Sequence, residues 1–299
     1  MLYYREKIIL SILEEFNGKL SRTQLQKYLF LFTRMQNEPS YDFMPYNFGC
    51  YSFQASKDLE HLQKDHLICH NEEWNLAPVK KSYKDMLTNE DRLVLYKIRK
   101  NYKHLSQREL VRQVYLDYPY YTIHSTIKEE MLSKEEQACI DKYIENHYSL
   151  NDETPTLFTI GYEGISFEMY LNKLIQCNIK LLIDVRKNPF SHKYGFSKGI
   201  LASIVNKMGI KYVHIPELGI ITEKRKKLET INDYKALFDE YEKTLPSKES
   251  YLREIIDYMD KYKRIALTCF EKDVNKCHRT RIKDYIVNNL LSDTNVVEL

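Results

Sequence analysis

The sequence lacks long apolar runs, and its net charge is close to zero. No apolar stretch approaches the length of a membrane-spanning helix. The first residues, Met1–Lys7, carry charge where a signal peptide needs an apolar core. The formal net charge of +3 is too small to indicate nucleic-acid binding by itself. We therefore expect a cytoplasmic protein with no membrane partner.

Closely spaced cysteines are also absent. The six cysteines are scattered, at Cys50, Cys69, Cys139, Cys177, Cys269 and Cys277. This density is unlike that of small secreted domains held by disulfides. No CxxC pair is present, which argues against a standard zinc ribbon. We expect no cofactor.

The N-terminal quarter has the pattern of short helices followed by a small hairpin. Apolar residues recur at helical spacing in Tyr4–Phe16 and Arg22–Thr33, and Gly18 between them stops the first helix. Leu67–Cys69 and Trp74–Leu76 are two short segments typical of strands. Together they indicate a helix-turn-helix with a small wing.

Residues 1–76 resemble the winged-helix domain of the SocA-like, or Panacea, antitoxin family. The resemblance rests on Leu25–Leu29, Met44–Ser52 and Asp58–Leu62. The sequence departs from the family pattern at Cys50, where proline is usual, and at His66, where glycine is usual. The resemblance implies a winged helix that binds DNA, RNA or another protein. The alternative is a domain that only docks onto the rest of the chain.

Residues 77–150 are predicted to be a mostly helical connector, and Asn151–Pro155 is the best candidate for a linker. From residue 156 to residue 299, predicted strands alternate with helices. The predicted strands are Thr156–Ile160, Lys180–Val185, Lys211–Ile215 and Arg264–Thr268. This alternation predicts a mostly parallel, three-layer, Rossmann-like α/β domain after a mainly helical N-terminal part.

Each predicted strand of this domain ends in unusual residues. Because the carboxyl ends of parallel strands meet at one edge of a sheet, these residues are expected to line one crevice. The richest segment is Cys269–Arg279, which holds two cysteines, a glutamate, a histidine and an arginine. The candidate site residues are Gly161, Tyr162, Glu163, Asp184, Arg186, Ser191, Cys269, Glu271, Cys277, His278 and Arg279.

This second half resembles the DUF488 family. The resemblance rests on Thr159–Gly164, Leu182–Arg186 with Pro189 and Ser191, Tyr212–Gly219 and Cys269–Arg279. The last segment keeps every fixed position of the family's CxExxxxxCHR motif. The resemblance implies a Rossmann-like domain with an active site at these positions. It also suggests nucleotide or nucleic-acid chemistry, in defence against mobile elements.

The residue types suggest how such a site would work. Asp184, Glu271 or Glu163 could act as general acid or base, or as nucleophile on a glycosidic carbon. Arg186 and Arg279 are candidates to hold phosphate. Further candidate substrate-binding residues are Gly161, Ser191, His278 at the start of a helix, and Tyr162, which could stack on a base.

Three hypotheses are open for the role of Cys269 and Cys277. A thiolate at a helix N-terminus near arginine is nucleophilic and would suit sulfur transfer, although the segment lacks a C-x5-R phosphate cradle. Alternatively, the two cysteines and His278 could bind a metal, with no fourth ligand evident. The third hypothesis is that both are packed as small apolar residues.

The function expected from the sequence is an enzyme, such as a hydrolase or glycosidase, that processes nucleic acid or a nucleotide. The alternatives are a nucleotide-sensing DNA-binding regulator without enzymatic activity, and a cysteine-based sulfur transferase. The expected partner is nucleic acid, with DNA favoured, or a nucleotide. A second copy of the chain is a further candidate partner.

Overall fold

The computed structural model describes residues 2–78, 82–148, 150–221, 228, 230–291 and 294–299. The chain divides into two units, Met1–His147 and Tyr148–Leu299. Within the described part of the chain, no helix is both long and apolar enough to cross a membrane.

The first unit is mainly helical. Its helices are α1 (Tyr4–Glu15), α2 (Arg22–Met35), α3 (Phe53–Lys64), α4 (Asn89–Tyr102), α5 (Gln107–Asp117), α6 (Lys128–Met131) and α7 (Lys134–His147). Its strands are β1 (Lys19–Leu20), β2 (Met44–Tyr46), β3 (Gly49–Tyr51), β4 (Ile68–His70) and β5 (Trp74–Leu76). Helix α2 begins where the sequence predicts, because Ser21 and Gln24 form a reciprocal capping box.

The core of the first unit forms around α2, whose residues 25–33 are all buried. Strands β1, β5 and β4 form an antiparallel sheet in that order, with Leu20 opposite Trp74. Helices α4 and α5, which belong to the segment predicted as a connector, bury Ile98 and Leu110 in the same core as Leu29. The first unit therefore has one shared apolar core.

The second unit alternates strands and helices. Its strands are β6 (Thr156–Gly161), β7 (Leu181–Asp184), β8 (Lys211–His214), β9 (Arg264–Cys269) and β10 (Asn295–Glu298). Its helices are α8 (Phe167–Gln176), α9 (Lys198–Lys207), α10 (Ile231–Glu242), α11 (Glu249–Tyr262) and α12 (His278–Tyr285). Ser166 caps α8 by accepting a hydrogen bond from the backbone N–H of Met169 at 3.0 Å.

The five strands form one sheet in the order β10-β6-β9-β7-β8, and every pairing is parallel. This confirms the predicted α/β character with a parallel sheet. Strand β9 lies between β6 and β7, and all three are buried along their whole length. Strand β10 was not predicted from the sequence. Among the strands of the described residues, it pairs with β6 alone, at one edge of the sheet.

Strand β9 supplies the central apolar packing of the second unit, so truncation there should be costly. Leu267 is fully buried, and we expect Leu267→Ala to lower the free energy of unfolding by about 2–5 kcal/mol. Met169→Ala, at an exposed position of α8, should change it by no more than about 0.5 kcal/mol. Urea unfolding followed by circular dichroism measures both. Equal midpoints for the two variants would contradict the placement of β9.

Candidate functional site

The carboxyl ends of β6, β9 and β7 lie side by side. Gly161, the last residue of β6, is opposite Cys269, the last residue of β9. Asp184, the last residue of β7, is opposite Thr268 on the other side of β9. The segments that follow these three strands therefore leave the sheet at the same edge, which is where parallel α/β sheets usually bind ligands.

Arg279 folds the segment after β9 back on itself. Its side chain is only 1% exposed, although it carries a full positive charge. Its Nη1 donates to the backbone oxygen of Glu271, and its Nη2 donates to that of Lys272 at 3.3 Å. Since Arg279 lies in the first turn of α12, these bonds hold Glu271 beside the start of that helix.

Gly161 allows this fold-back because it has no side chain. A Cβ at that position would lie 1.9 Å from the backbone oxygen of Glu271 and 3.1 Å from Nη1 of Arg279. The next residues along the chain add support, since the N–H groups of Tyr162 and Glu163 donate to the backbone oxygen of Phe270. The end of β6 thus fixes the segment that follows β9.

Two thiols, a carboxylate and an imidazole lie close together between the last residue of β9 and the first residue of α12. Cys269 Sγ lies 3.1 Å from Glu271 Oε2 and 3.5 Å from His278 Nδ1. One side-chain donor atom from each of Cys269, Glu271, Cys277 and His278 lies within 4.8 Å of all the others. Both cysteines and the histidine are buried, whereas Glu271 is partly exposed. We call these four residues the thiol cluster.

A backbone carbonyl oxygen fixes the orientation of the His278 ring. Its Nε2 lies 2.9 Å from the backbone oxygen of Val185, the residue that follows β7. A carbonyl oxygen only accepts hydrogen bonds, so Nε2 carries the proton and donates. In the neutral ring, Nδ1 then presents its lone pair towards Cys269.

Burial also shapes the chemistry of the thiols. It raises the pKa of Cys277 well above its ordinary value, and the neighbouring Cys269 and Glu271 raise it further. A thiol in this environment stays protonated near neutral pH unless a cation compensates the charge. The cluster can therefore exchange protons or provide ligands for a metal, and the residues that could hold a metal are its four members.

Asp184 and Arg186 form a second buried group beside the thiol cluster. Arg186 Nε lies 2.8 Å from Asp184 Oδ1, and Nη2 lies 2.5 Å from Oδ2. The remaining Nη1 of Arg186 donates to the Tyr162 hydroxyl and to the backbone oxygen of Phe196. Asp184 Oδ2 also accepts from the Tyr212 hydroxyl at 2.6 Å. Both charged side chains are thus occupied by internal hydrogen bonds.

The pKa of Arg186 follows from this pairing. Burial opposes the charged guanidinium, but the hydrogen bonds and the charge of Asp184 outweigh that effect and raise the pKa of Arg186. Arg186 is therefore a permanent buried cation. Its planar fork is matched to the carboxylate of Asp184.

The other predicted site residues have separate environments. The Tyr162 ring is stacked on Phe196 with centroids 4.1 Å apart, and burial raises the pKa of its hydroxyl. Glu163 is exposed and accepts a hydrogen bond from the N–H of Lys272 at 3.1 Å. The hydroxyl of Ser191 accepts from the N–H of Lys193. Tyr162, Glu163 and Ser191 are thus not members of the thiol cluster, although Glu163 contacts the residue that follows Glu271.

Sequence reasoning missed two features of the site. It did not predict Tyr212, although strand alternation places it on the same face of β8 as His214, which is opposite Asp184. It proposed a metal only for Cys269, Cys277 and His278, and considered Glu271 as an acid, a base or a nucleophile but not as a metal ligand. The short spacing from Cys269 to Glu271 was the available signal for a fourth ligand.

The fold and the cluster define an α/β unit with a thiol, imidazole and carboxylate centre at the carboxyl edge of a parallel sheet. Residues 166–286 match DUF488, which is described as a domain of unknown function. The second unit therefore contains a DUF488 domain, which confirms the resemblance at Leu182–Arg186, Tyr212–Gly219 and Cys269–Arg279. The Thr159–Gly164 motif lies before the matched residues. Comparison with curated proteins and with solved structures finds no match for the chain.

The packing at Gly161 gives a direct prediction. Gly161→Ala places a methyl group against the Glu271 backbone and should lower the free energy of unfolding by about 3 kcal/mol or more. Gly199→Ala is the matched control, because its Cβ meets nothing within 4 Å in the first turn of α9. The control should be neutral or stabilising by up to about 1 kcal/mol. Thermal unfolding compares the two, and equal stability would rule out the close approach.

The buried pair at Asp184 gives a second prediction. Asp184→Asn leaves the Arg186 charge buried without its counterion, so the free energy of unfolding should fall by about 3–5 kcal/mol. Tyr212→Phe removes only one hydrogen bond to the same carboxylate and should cost about 1 kcal/mol. Denaturant unfolding measures both variants. Wild-type stability in Asp184→Asn would show that the carboxylate does not serve as the counterion of Arg186.

Proposed function

We propose that the second unit is an enzyme that acts on nucleic acid or on a nucleotide, and that the thiol cluster is its active centre. The observation that carries this proposal is the convergence of two thiols, an imidazole and a carboxylate within 4.8 Å at the carboxyl edge of a parallel sheet. Buried polar groups cost free energy unless they are paired, so such clusters are candidates for function.

Among the candidate carboxylates, Glu271 is the one we propose to react. It contacts the Cys269 thiol, and its side chain is partly exposed, so a substrate can approach it. Asp184 is fully buried and bonded to Arg186 and Tyr212, which suits a supporting role. Glu271 would act as general acid or base, or as nucleophile at a glycosidic carbon.

The arginines first considered as phosphate ligands support the site instead. Arg186 and Arg279 direct hydrogen bonds at internal oxygens, as described above. We propose that exposed lysines beside the cluster attract phosphate groups. The nearest along the chain are Lys187, directly after Arg186, and Lys272 and Lys276 in the segment before α12. Lysine contacts to phosphate provide affinity without reading sequence.

For the first unit we propose a winged helix that binds nucleic acid, with DNA favoured. The support is the order of its elements, α1, β1, α2, α3, β4 and β5, together with the antiparallel sheet β1-β5-β4. Phe48, in the turn between β2 and β3, is 53% exposed and lines a groove of about 550 Å³ together with Arg22 and Gln63. Exposed aromatic rings can stack on unpaired bases.

Sulfur transfer is less well supported as a function of the same site. It needs an accessible thiolate, whereas Cys269 and Cys277 are both buried, and burial raises the pKa of Cys277. A regulator that senses a nucleotide remains distinguishable by experiment, because it would bind nucleotide and DNA without turning either over.

The test compares Glu271→Gln with Asp273→Asn. Both changes replace a carboxylate by its amide in the same segment. Asp273 is exposed, and its side chain accepts from the Asn275 N–H and lies 3.9 Å from Lys276 Nζ, away from the thiol cluster's own contacts. End-labelled single- and double-stranded oligonucleotides and free nucleotides are incubated with each protein. Strand products and released bases are then quantified.

We expect the wild-type chain and Asp273→Asn to be active on one of these substrates, and Glu271→Gln to be slower by at least about 100-fold. If no oligonucleotide or nucleotide is turned over and a nucleotide changes the affinity for DNA, the protein is a regulator and not an enzyme. Full activity in Glu271→Gln would show that Glu271 takes no part in the reaction.

A further inference from the structure

We infer that Cys269, Glu271, Cys277 and His278 together bind one thiophilic divalent metal ion of the zinc class. The inference rests on the geometry of the thiol cluster and does not depend on the proposed reaction or its substrate. Within the described residues, it supplies the fourth ligand that the sequence left without a candidate.

The separations between the donor atoms suit a single ion. With zinc–sulfur bonds of about 2.3 Å and zinc–nitrogen or zinc–oxygen bonds of about 2.0 Å, the donors of a tetrahedral site lie about 3.3–3.8 Å apart. Cys269 Sγ already lies 3.5 Å from His278 Nδ1 and 3.1 Å from Glu271 Oε2. Since the donor atoms all lie within 4.8 Å of one another, shifts of about 1 Å would complete the site.

The tautomer and ring orientation of His278 already suit metal coordination. A metal-binding histidine usually donates its other ring N–H to a carboxylate or a backbone carbonyl, which fixes the tautomer and the ring plane. His278 does this through Nε2 and the Val185 backbone oxygen at 2.9 Å. Its Nδ1 is thereby directed at the centre of the cluster.

The ligands are held by different elements of the fold. Cys269 ends the buried strand β9, and Cys277 and His278 stand at the start of α12. The backbone of Glu271 is bound by Arg279. Sites on strands and helices hold their geometry better than sites on long loops. Little ordering is therefore needed when an ion binds.

The types of donor select the class of ion. Two thiols and an imidazole suit zinc and other transition ions that accept sulfur and nitrogen. Magnesium and calcium prefer all-oxygen sites, so they do not fit this set. Glu271 is the only partly exposed member of the cluster. It therefore occupies the position that water or a substrate could take in exchange, as in zinc sites with an open coordination position.

The first measurement is the metal content of the full chain. The protein is purified with reduced thiols, without chelator and without a metal-affinity column, and metals are quantified by mass spectrometry. We expect about one equivalent of zinc or another transition ion per chain. After removal of the ion by a chelator, added Co²⁺ should give the sulfur-to-cobalt charge-transfer absorption of a thiolate site.

Variants locate the ion. Cys277→Ser should weaken Zn²⁺ and Co²⁺ binding by at least about 100-fold, because loss of a ligand should cost at least as much as loss of its supporting partner. Cys139→Ser, at an exposed position of the first unit, is the matched control and should bind as the wild type does. Glu271→Gln alters the partly exposed ligand with little change of volume, and circular dichroism verifies that the variant is folded. It should bind Co²⁺ more weakly and change the cobalt spectrum.

Three results would overturn the inference. The first is that the reduced wild-type chain binds neither Zn²⁺ nor Co²⁺. The second is that Cys277→Ser and Cys139→Ser bind these ions equally well, and the third is that the wild-type chain contains a Cys269–Cys277 disulfide and takes up no ion after reduction. Metal binding without turnover of any nucleic acid or nucleotide would contradict only the proposed function, whereas turnover by a metal-depleted chain that binds no ion would contradict only this inference.

Discussion

The buried guanidinium of Arg279 is the contact on which the arrangement of the site depends. It binds the backbone oxygens of Glu271 and Lys272, so the segment between β9 and α12 must turn back towards the sheet. The turn is feasible only because Gly161 leaves room for the Glu271 backbone. These hydrogen bonds are what hold Glu271 beside the residues that begin α12. A buried cation that donates to backbone oxygens is therefore what joins the ends of β6 and β9 into one site.

The second unit uses its buried charges in two ways. Asp184 and Arg186 neutralise each other, and Tyr162 and Tyr212 complete their hydrogen bonds, so this group stabilises the edge of the sheet. The thiol cluster beside it brings two thiols, an imidazole and a carboxylate within 4.8 Å of one another, and burial raises the pKa of its Cys277 thiol. The cation that we infer would compensate negative charge on these ligands. The first group therefore contains a buried ion pair, whereas the second contains the donor atoms that a transition metal prefers.

Much of this arrangement could be predicted from the sequence. Alternating apolar strands and helices indicated the parallel sheet, and residues after the predicted strands indicated the edge that holds the candidate site. The partners of each charged side chain could not be predicted, because they depend on strand order. Arg186 and Arg279 had the composition of a phosphate site, yet tertiary contacts direct their donors inward. Strand β10 was missed because it is a short edge strand after a polar segment.

The site that we infer holds one ion between two thiols, an imidazole and a carboxylate, from the end of β9 to the start of α12. X-ray absorption at the edge of the bound metal is the decisive measurement, because the spectrum reports the type, number and distance of the ligand atoms. We expect two sulfur atoms at about 2.3 Å and two nitrogen or oxygen atoms at about 2.0 Å. A shell made only of nitrogen and oxygen would rule out this site.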